Sequence, residues 1–152
     1  MHRLYENDDL AVFWDSEKCI HARACRKNSP NVFNPERRPW IDLSRDTNAK
    51  IWHAVESCPS GALTIAYTHQ IVTRFDAENC RSIALDKEQI IGVCSYRETE
   101  NGWEIIHTEV LPDYGGKGIA KRLVYKVAEA AERAEQALIP LCSYAVKVLT
   151  SQ

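Results

Sequence analysis

The sequence predicts an α+β chain in two parts, a small turn-rich part over residues 1–68 and a compact mixed α/β part over residues 69–152. Three observations carry that reading. Turn formers interrupt the first 68 residues at Asn28-Ser29-Pro30-Asn31, Asn34-Pro35, Arg38-Pro39 and Cys58-Pro59-Ser60-Gly61, so only short elements fit between them. From residue 82 onward, short apolar runs separated by polar turns read as antiparallel strands. The longest helical period in the chain then runs to about residue 136. It sets Ile119, Leu123, Val127, Ala130 and Ala134 near one face and Lys121, Arg122, Glu129, Glu132 and Arg133 towards the other.

In the first part, residues 10–14 (Leu-Ala-Val-Phe-Trp) form a short strand. Asp15 then caps a helical turn that carries Cys19 to Cys25. Residues 47–56 form a helix with Ile51, Ala54 and Val55 on one face, stopped by Cys58-Pro59, and residues 63–67 form a closing strand. So few large apolar side chains make a marginal core, and an internal staple such as a metal centre is expected. In the second part, residues 82–85 and 89–96 form strands around Asp86-Lys87-Glu88. Residues 103–110 pair with the latter through Glu100-Asn101-Gly102. After the long helix, residues 137–141 form a short strand and Ser143 caps a last helix running to Leu149. The boundary between the parts falls near residues 68–74.

Composition excludes several classes. The chain has 152 residues, 45% hydrophobic and 26% charged, the balance of a globular protein rather than a disordered one. A formal charge of −2 gives no general attraction for nucleic acid. No apolar run approaches the ~20 residues of a membrane helix, and the acidic start is unlike a signal peptide, so no membrane partner and a cytoplasmic location are expected. In that compartment six cysteines read as ligands, catalytic thiols or small core residues before disulfides.

Cys19 and Cys25, followed at a distance by Cys58-Pro59, form the chemically informative set. Bacterial ferredoxins use C-x2-C-x2-C and a distant Cys-Pro, because a tight loop aims successive sulfurs at one cluster. The pattern here resembles it with Ala22 at the middle position. The tail Cys58-Pro59-Ser60-Gly61-Ala62-Leu63, with Val32-Phe33 and Arg38-Pro39-Trp40-Ile41, further resembles the divergent mono-cluster iron–sulfur domains over roughly residues 5–67. The resemblance implies that Cys19, Cys25 and Cys58 hold a 3Fe-4S centre, or a 4Fe-4S centre completed by water, a small molecule or His21, and that a redox partner exists. Zinc held by the three cysteines with His21 or His53 is the metal alternative, and three unliganded core thiols the alternative without a metal.

In the second part, Asp113-Tyr114-Gly115-Gly116-Lys117-Gly118-Ile119-Ala120 follows a strand and opens the long helix, a context in which free amides and the helix dipole hold phosphate. The spacing fits neither a Walker A loop nor a Rossmann turn. With the preceding strand Ile106-His107-Thr108-Glu109-Val110 and the later Ile139-Pro140-Leu141-Cys142-Ser143-Tyr144, it resembles the small single-domain branch of the GNAT acetyltransferases over roughly residues 72–150. That family's turn is Gln/Arg-x-x-Gly-x-Gly/Ala; Gly118 and Ala120 match, while Gly115 stands where Gln or Arg is usual. The resemblance implies acetyl-CoA bound by Val110, Gly115, Gly116, Lys117, Gly118, Ile119 and Ala120, and direct attack by an amine acceptor whose identity is not encoded. His107 or Glu109 then accepts the amine proton and Tyr144 protonates the departing sulfur. Strand period places Ile105, His107 and Glu109 on one face. Cys142, just before a helix start, can carry thiolate and take the acetyl group or form a mixed disulfide with CoA. Cys80 and Cys94 read as core or strand residues.

Overall fold

The computed structural model describes residues 1–150 and divides the chain into two compact units, Met1–Thr68 and a second from His69 onward. Both mix helix and strand, as an α+β chain should.

The first unit is built on an antiparallel sheet in the order β1 (His2–Glu6), β2 (Leu10–Asp15), β3 (Leu63–Tyr67). Strand β1 lies outside the sequence expectations because its alternation is masked by polar residues. The hairpin after it is set by Asn7, whose side-chain oxygen accepts from the Asp9 and Leu10 amides, the local bond that makes Asn a turn former. Helices α1 (Ala24–Asn28) and α2 (Asn48–Glu56) lie between β2 and β3 in sequence. Thr47 caps α2 by accepting from the Lys50 amide, and Ile51, Ala54 and Val55 face inward. They meet Leu10, Val12, Val32, Phe33, Ile41 and Leu63 in one core.

The second unit is a five-stranded sheet in the order β4 (Val72–Asp76), β5 (Arg81–Asp86), β6 (Gln89–Thr99), β7 (Gly102–Val110), β8 (Leu138–Pro140). Strands β4 to β7 are antiparallel, and β8 returns parallel to β7 after the crossover helix α3 (Ile119–Arg133). Strand β4 takes residues that the sequence assigns in part to the connection between units. Gly102 turns β6 into β7 at φ +134°, where any Cβ would strike the Ala137 carbonyl. Ile119, Leu123, Val124, Val127 and Ala131 pack on Ala84, Ile91, Cys94, Tyr96, Trp103 and Ile105, with Ala145 from α4 (Ser143–Thr150).

Three local expectations are corrected. Arg122 is not on the polar face of α3: it is 1% exposed, and its guanidinium donates to the Ile71 carbonyl at 2.8 Å, satisfying a charge that periodicity alone assigns to solvent. Helix α3 stops at Arg133, because Glu135 turns left-handed (φ +57°). Its amide bonds the Glu132 carbonyl and that of Gln136 bonds the Ala131 carbonyl, which is a Schellman closure without its usual glycine. In β7, a bulge opposite Ser95/Tyr96 inserts Ile106. Ile105 and Thr108 therefore share the α3 face, and His107 and Glu109 stand on the other. A strict two-residue period had placed Ile105 with them.

Candidate functional sites

In the first unit the cysteine loop is assembled from three short pieces. Asp15 caps a 3-10 turn, Ser16–Lys18, by accepting from the Glu17 amide, and Cys19 closes that turn through its bond to the Ser16 carbonyl. The chain then passes through His21 and Arg23, both left-handed (φ +57° and +65°), before α1 begins at Ala24. The single helical turn expected over Cys19–Cys25 is thus broken. Two non-glycine residues held at positive φ cost about 1–2 kcal/mol each, and such strain gathers at functional loops. Cys58 follows α2, with its amide bonded to the Val55 carbonyl and its sulfur 3.6 Å from the Ser60 hydroxyl.

These pieces put Cys19, His21, Cys25 and Cys58 around one recess, shared with Trp14, Trp40 and Pro59. His53 stands exposed on α2 and does not line it. Burial raises the Cys25 thiol, and the neighbouring Cys58 and Cys19 sulfurs add to that effect. At Cys58 burial acts in the same direction, but the Leu63, Ser60 and Ala62 amides and the Ser60 hydroxyl outweigh it and bring the thiol below its ordinary value. The segment from Cys58 to Leu63 therefore favours the ionised form of Cys58 more than solvent does.

Among the described residues, no three His, Cys, Asp or Glu side chains are grouped as one metal ion would need. The donor set is three soft sulfurs lining a common recess, a chemistry that fits an iron–sulfur centre. A second observation agrees. The indole N–H groups of Trp14 and Trp40, rings 5.0 Å apart and nearly edge-to-face, are buried with no hydrogen-bond acceptor. A buried donor without a partner costs about 1–3 kcal/mol, and cluster and cysteinyl sulfurs are acceptors of the kind such donors need. Sequence reasoning missed these two donors, since a tryptophan's partner is invisible in one dimension.

In the second unit, the ladder between β7 and β8 ends at Ile105, whose carbonyl accepts from both the Leu141 and Cys142 amides at 3.0 and 3.1 Å. Beyond it, residues 106–110 pair only with β6 among the described residues, which leaves one edge of β7 open. Val110 is partly buried against the core at the end of that edge. The glycine turn follows. Tyr114 donates to the Asp86 carboxylate and pins the turn's start. Gly116 is left-handed with open space where a Cβ would be. Gly118 (φ +76°) caps α3 with no side-chain bond to the first-turn amides. Ile119 is buried, and Lys117 and Ala120 are partly exposed.

The four candidate catalytic residues fall into two groups on opposite faces of β7. His107 and Glu109 are exposed and paired, Nε2 to Oε2, at 3.3 Å. Cys142 packs on the α3 side, its Sγ accepting from the Ala145 amide at 3.3 Å and lying 3.4 Å from the Thr108 hydroxyl. Cys142, not Ser143, occupies the capping position of α4. The same hydroxyl donates to Cys94 Sγ at 3.6 Å. Tyr144 is half-buried against the same hydrophobic core, and burial raises its phenol above the usual value. Thr108 was not singled out from sequence, because only the bulge brings it to this face.

Comparison with known proteins agrees with both geometries. Residues 5–68 match the divergent 4Fe-4S mono-cluster family, and residues 81–152 match the GCN5-related N-acetyl-transferase family. The chain thus joins an iron–sulfur mono-cluster domain to a GNAT-type domain. The chain is 30% identical over 69 residues to the uncharacterized protein YjdI of Escherichia coli strain K12, and equally to its counterpart in strain O157:H7. Each match spans 45% of this chain and 88% of the relative. Residues 5–68 accordingly belong to the divergent 4Fe-4S mono-cluster family.

Proposed function

We propose that the chain is an acetyl-CoA-dependent N-acetyltransferase acting on an amine, with an iron–sulfur centre of the 4Fe-4S or 3Fe-4S type held in its first domain. The observation that supports transfer is the pairing of an open β7 edge with an uncapped, glycine-led helix start. An extended, amide-bearing arm such as that of CoA pairs naturally with a free strand edge, and its diphosphate suits the amides of residues 115–120 and the positive end of α3. The acceptor's nitrogen lone pair attacks the thioester carbonyl. Glu109 or His107 takes the ammonium proton, directly or through water, and the carbon–sulfur bond breaks as the sulfur takes a proton from Tyr144.

Cys19, Cys25 and Cys58 would hold the centre, with water, a small molecule or His21 at the remaining iron; it supplies one-electron chemistry when bound. A cytoplasmic location is part of this reading, and no disulfide joins any of the six cysteines. No described helix is long and apolar enough to cross a membrane.

The separation of Cys142 from the His107–Glu109 pair favours a second reading, in which the second domain binds CoA without turnover and the protein senses or carries electrons. Titration calorimetry with acetyl-CoA and CoA, followed by an amine screen, separates the two. Binding with acetyl transfer supports the enzyme, binding without transfer supports the second reading, and no binding removes both. Cys142→Ala is expected to leave turnover intact if the amine attacks the thioester directly, and to abolish it if an acyl-cysteine is obligatory.

A further inference from the structure

The charge of the chain is unevenly laid out around the cysteine loop. Residues 18–38 hold Lys18, Arg23, Arg26, Lys27, Arg37 and Arg38 against one acid, Glu36, a local charge of +5 in a chain whose total is −2. Arg23, Arg26 and Lys27 are exposed and line an open recess of about 530 Å³ floored by Pro30, Phe33 and Asn34, with Glu36 at its rim. Arg23 lines the cysteine recess as well, so the two depressions share a wall.

Ile20, between Cys19 and His21, is 65% exposed, and Ala22 beside it is exposed too. An apolar contact point on the loop that carries two of the ligand thiols, bordered by cationic side chains, has the anatomy of a transient protein interface, with an apolar centre and a charged rim. An exposed isoleucine gains nothing from solvent, and clustered like charges repel one another.

We propose that this face, Ile20 with Arg23, Arg26 and Lys27, is the docking surface for an acidic one-electron carrier protein that reduces the centre. The proposal rests on the iron–sulfur reading of Cys19, Cys25 and Cys58. In the step itself one electron leaves the reduced carrier and enters the centre; no bond forms or breaks and no proton moves. Charge complementarity selects the partner. A negative carrier is drawn to the basic rim and a positive or neutral one is not, and the attraction acts mainly on the encounter rate, which falls as salt screens it.

The test is stopped-flow reduction of the anaerobic full chain by photoreduced flavodoxin, an acidic carrier, over 20–500 mM sodium chloride. The second-order rate is expected to fall at least tenfold across that range. Arg26→Glu with Lys27→Glu should lower the low-salt rate at least tenfold and flatten the salt dependence, whereas Lys147→Glu in the other unit changes it less than twofold. Reduction by deazaflavin and light, which needs no docking, should proceed alike in all three proteins, with equal iron content showing that the variants are intact. A wild-type rate that is flat or rises with salt overturns the proposal on its own, without any variant. Inhibition by inorganic phosphate beyond that of chloride at equal ionic strength also overturns it, marking the recess as a small-anion pocket. Protein purified without iron and sulfide overturns the iron–sulfur reading and this proposal together, while an intact centre with no salt dependence overturns the docking face alone.

Discussion

Thr108 places its hydroxyl between two thiols, those of Cys94 and Cys142. Cys94 is fully buried, and the loss of solvent pushes its thiol up to about 11 in spite of the bond from Thr108. Its folded value lies above that of an unfolded cysteine, so the fold favours the protonated thiol. That stability is fully present below about pH 9 and is lost as pH rises towards 11, amounting to about 2–3 kcal/mol. Urea midpoints taken from pH 8 to 11 should therefore fall more steeply in the wild type than in Cys94→Ala; parallel curves would contradict the assignment. At the other site, Trp40→Phe keeps an aromatic side chain, smaller than the indole, and removes one buried N–H. If that donor serves a cluster sulfur, the variant's midpoint potential in a spectroscopic redox titration shifts to more negative values, because hydrogen bonds to the sulfurs raise the potential. An unchanged potential would mean that the donor serves no sulfur.

Among the elements, α3 does most to organise the second unit, since its start faces the glycine turn and its inner face fills the core. Leu123 is fully buried, and Ser82 donates to its carbonyl at 2.8 Å. Leu123→Ala should cost about 2–5 kcal/mol in chemical denaturation. At the end of the helix, Glu135→Gly should stabilise by about 0.5–1 kcal/mol, because glycine accepts the left-handed turn without a Cβ penalty. A thermal midpoint that falls instead would show that Glu135 makes a contact outweighing its strain.

The long helix, the hairpins and the gathering of Cys19, Cys25 and Cys58 around one recess were legible from the sequence because period and spacing are properties of a line of residues. The bulge at Ile106, the burial of Arg122 and the capping role of Cys142 were not. Each is decided by a partner far along the chain: Ser95 and Tyr96 for the bulge, the Ile71 carbonyl for Arg122, and the Ile105 carbonyl that fixes the approach to α4.

At the scale of the whole molecule, the two units rely on different sources of stability. The second has an extended sheet under a fifteen-residue helix. The first has three short strands, a five-residue helix and a nine-residue one, with strained backbone at His21 and Arg23 and three cysteines lining one recess. A centre that binds those sulfurs adds its binding energy to folding. Removing iron is therefore expected to lower hydrogen-exchange protection within residues 1–68 while leaving β5 to β7 unchanged; uniform loss in both units would argue against a local staple.

The most direct test of the account is iron and acid-labile sulfide per chain in anaerobically purified protein, read with its visible spectrum. The account predicts about three or four irons, about four sulfides and a broad visible absorbance, all lost in Cys58→Ser. Colourless protein carrying zinc, or no metal at all, would contradict it.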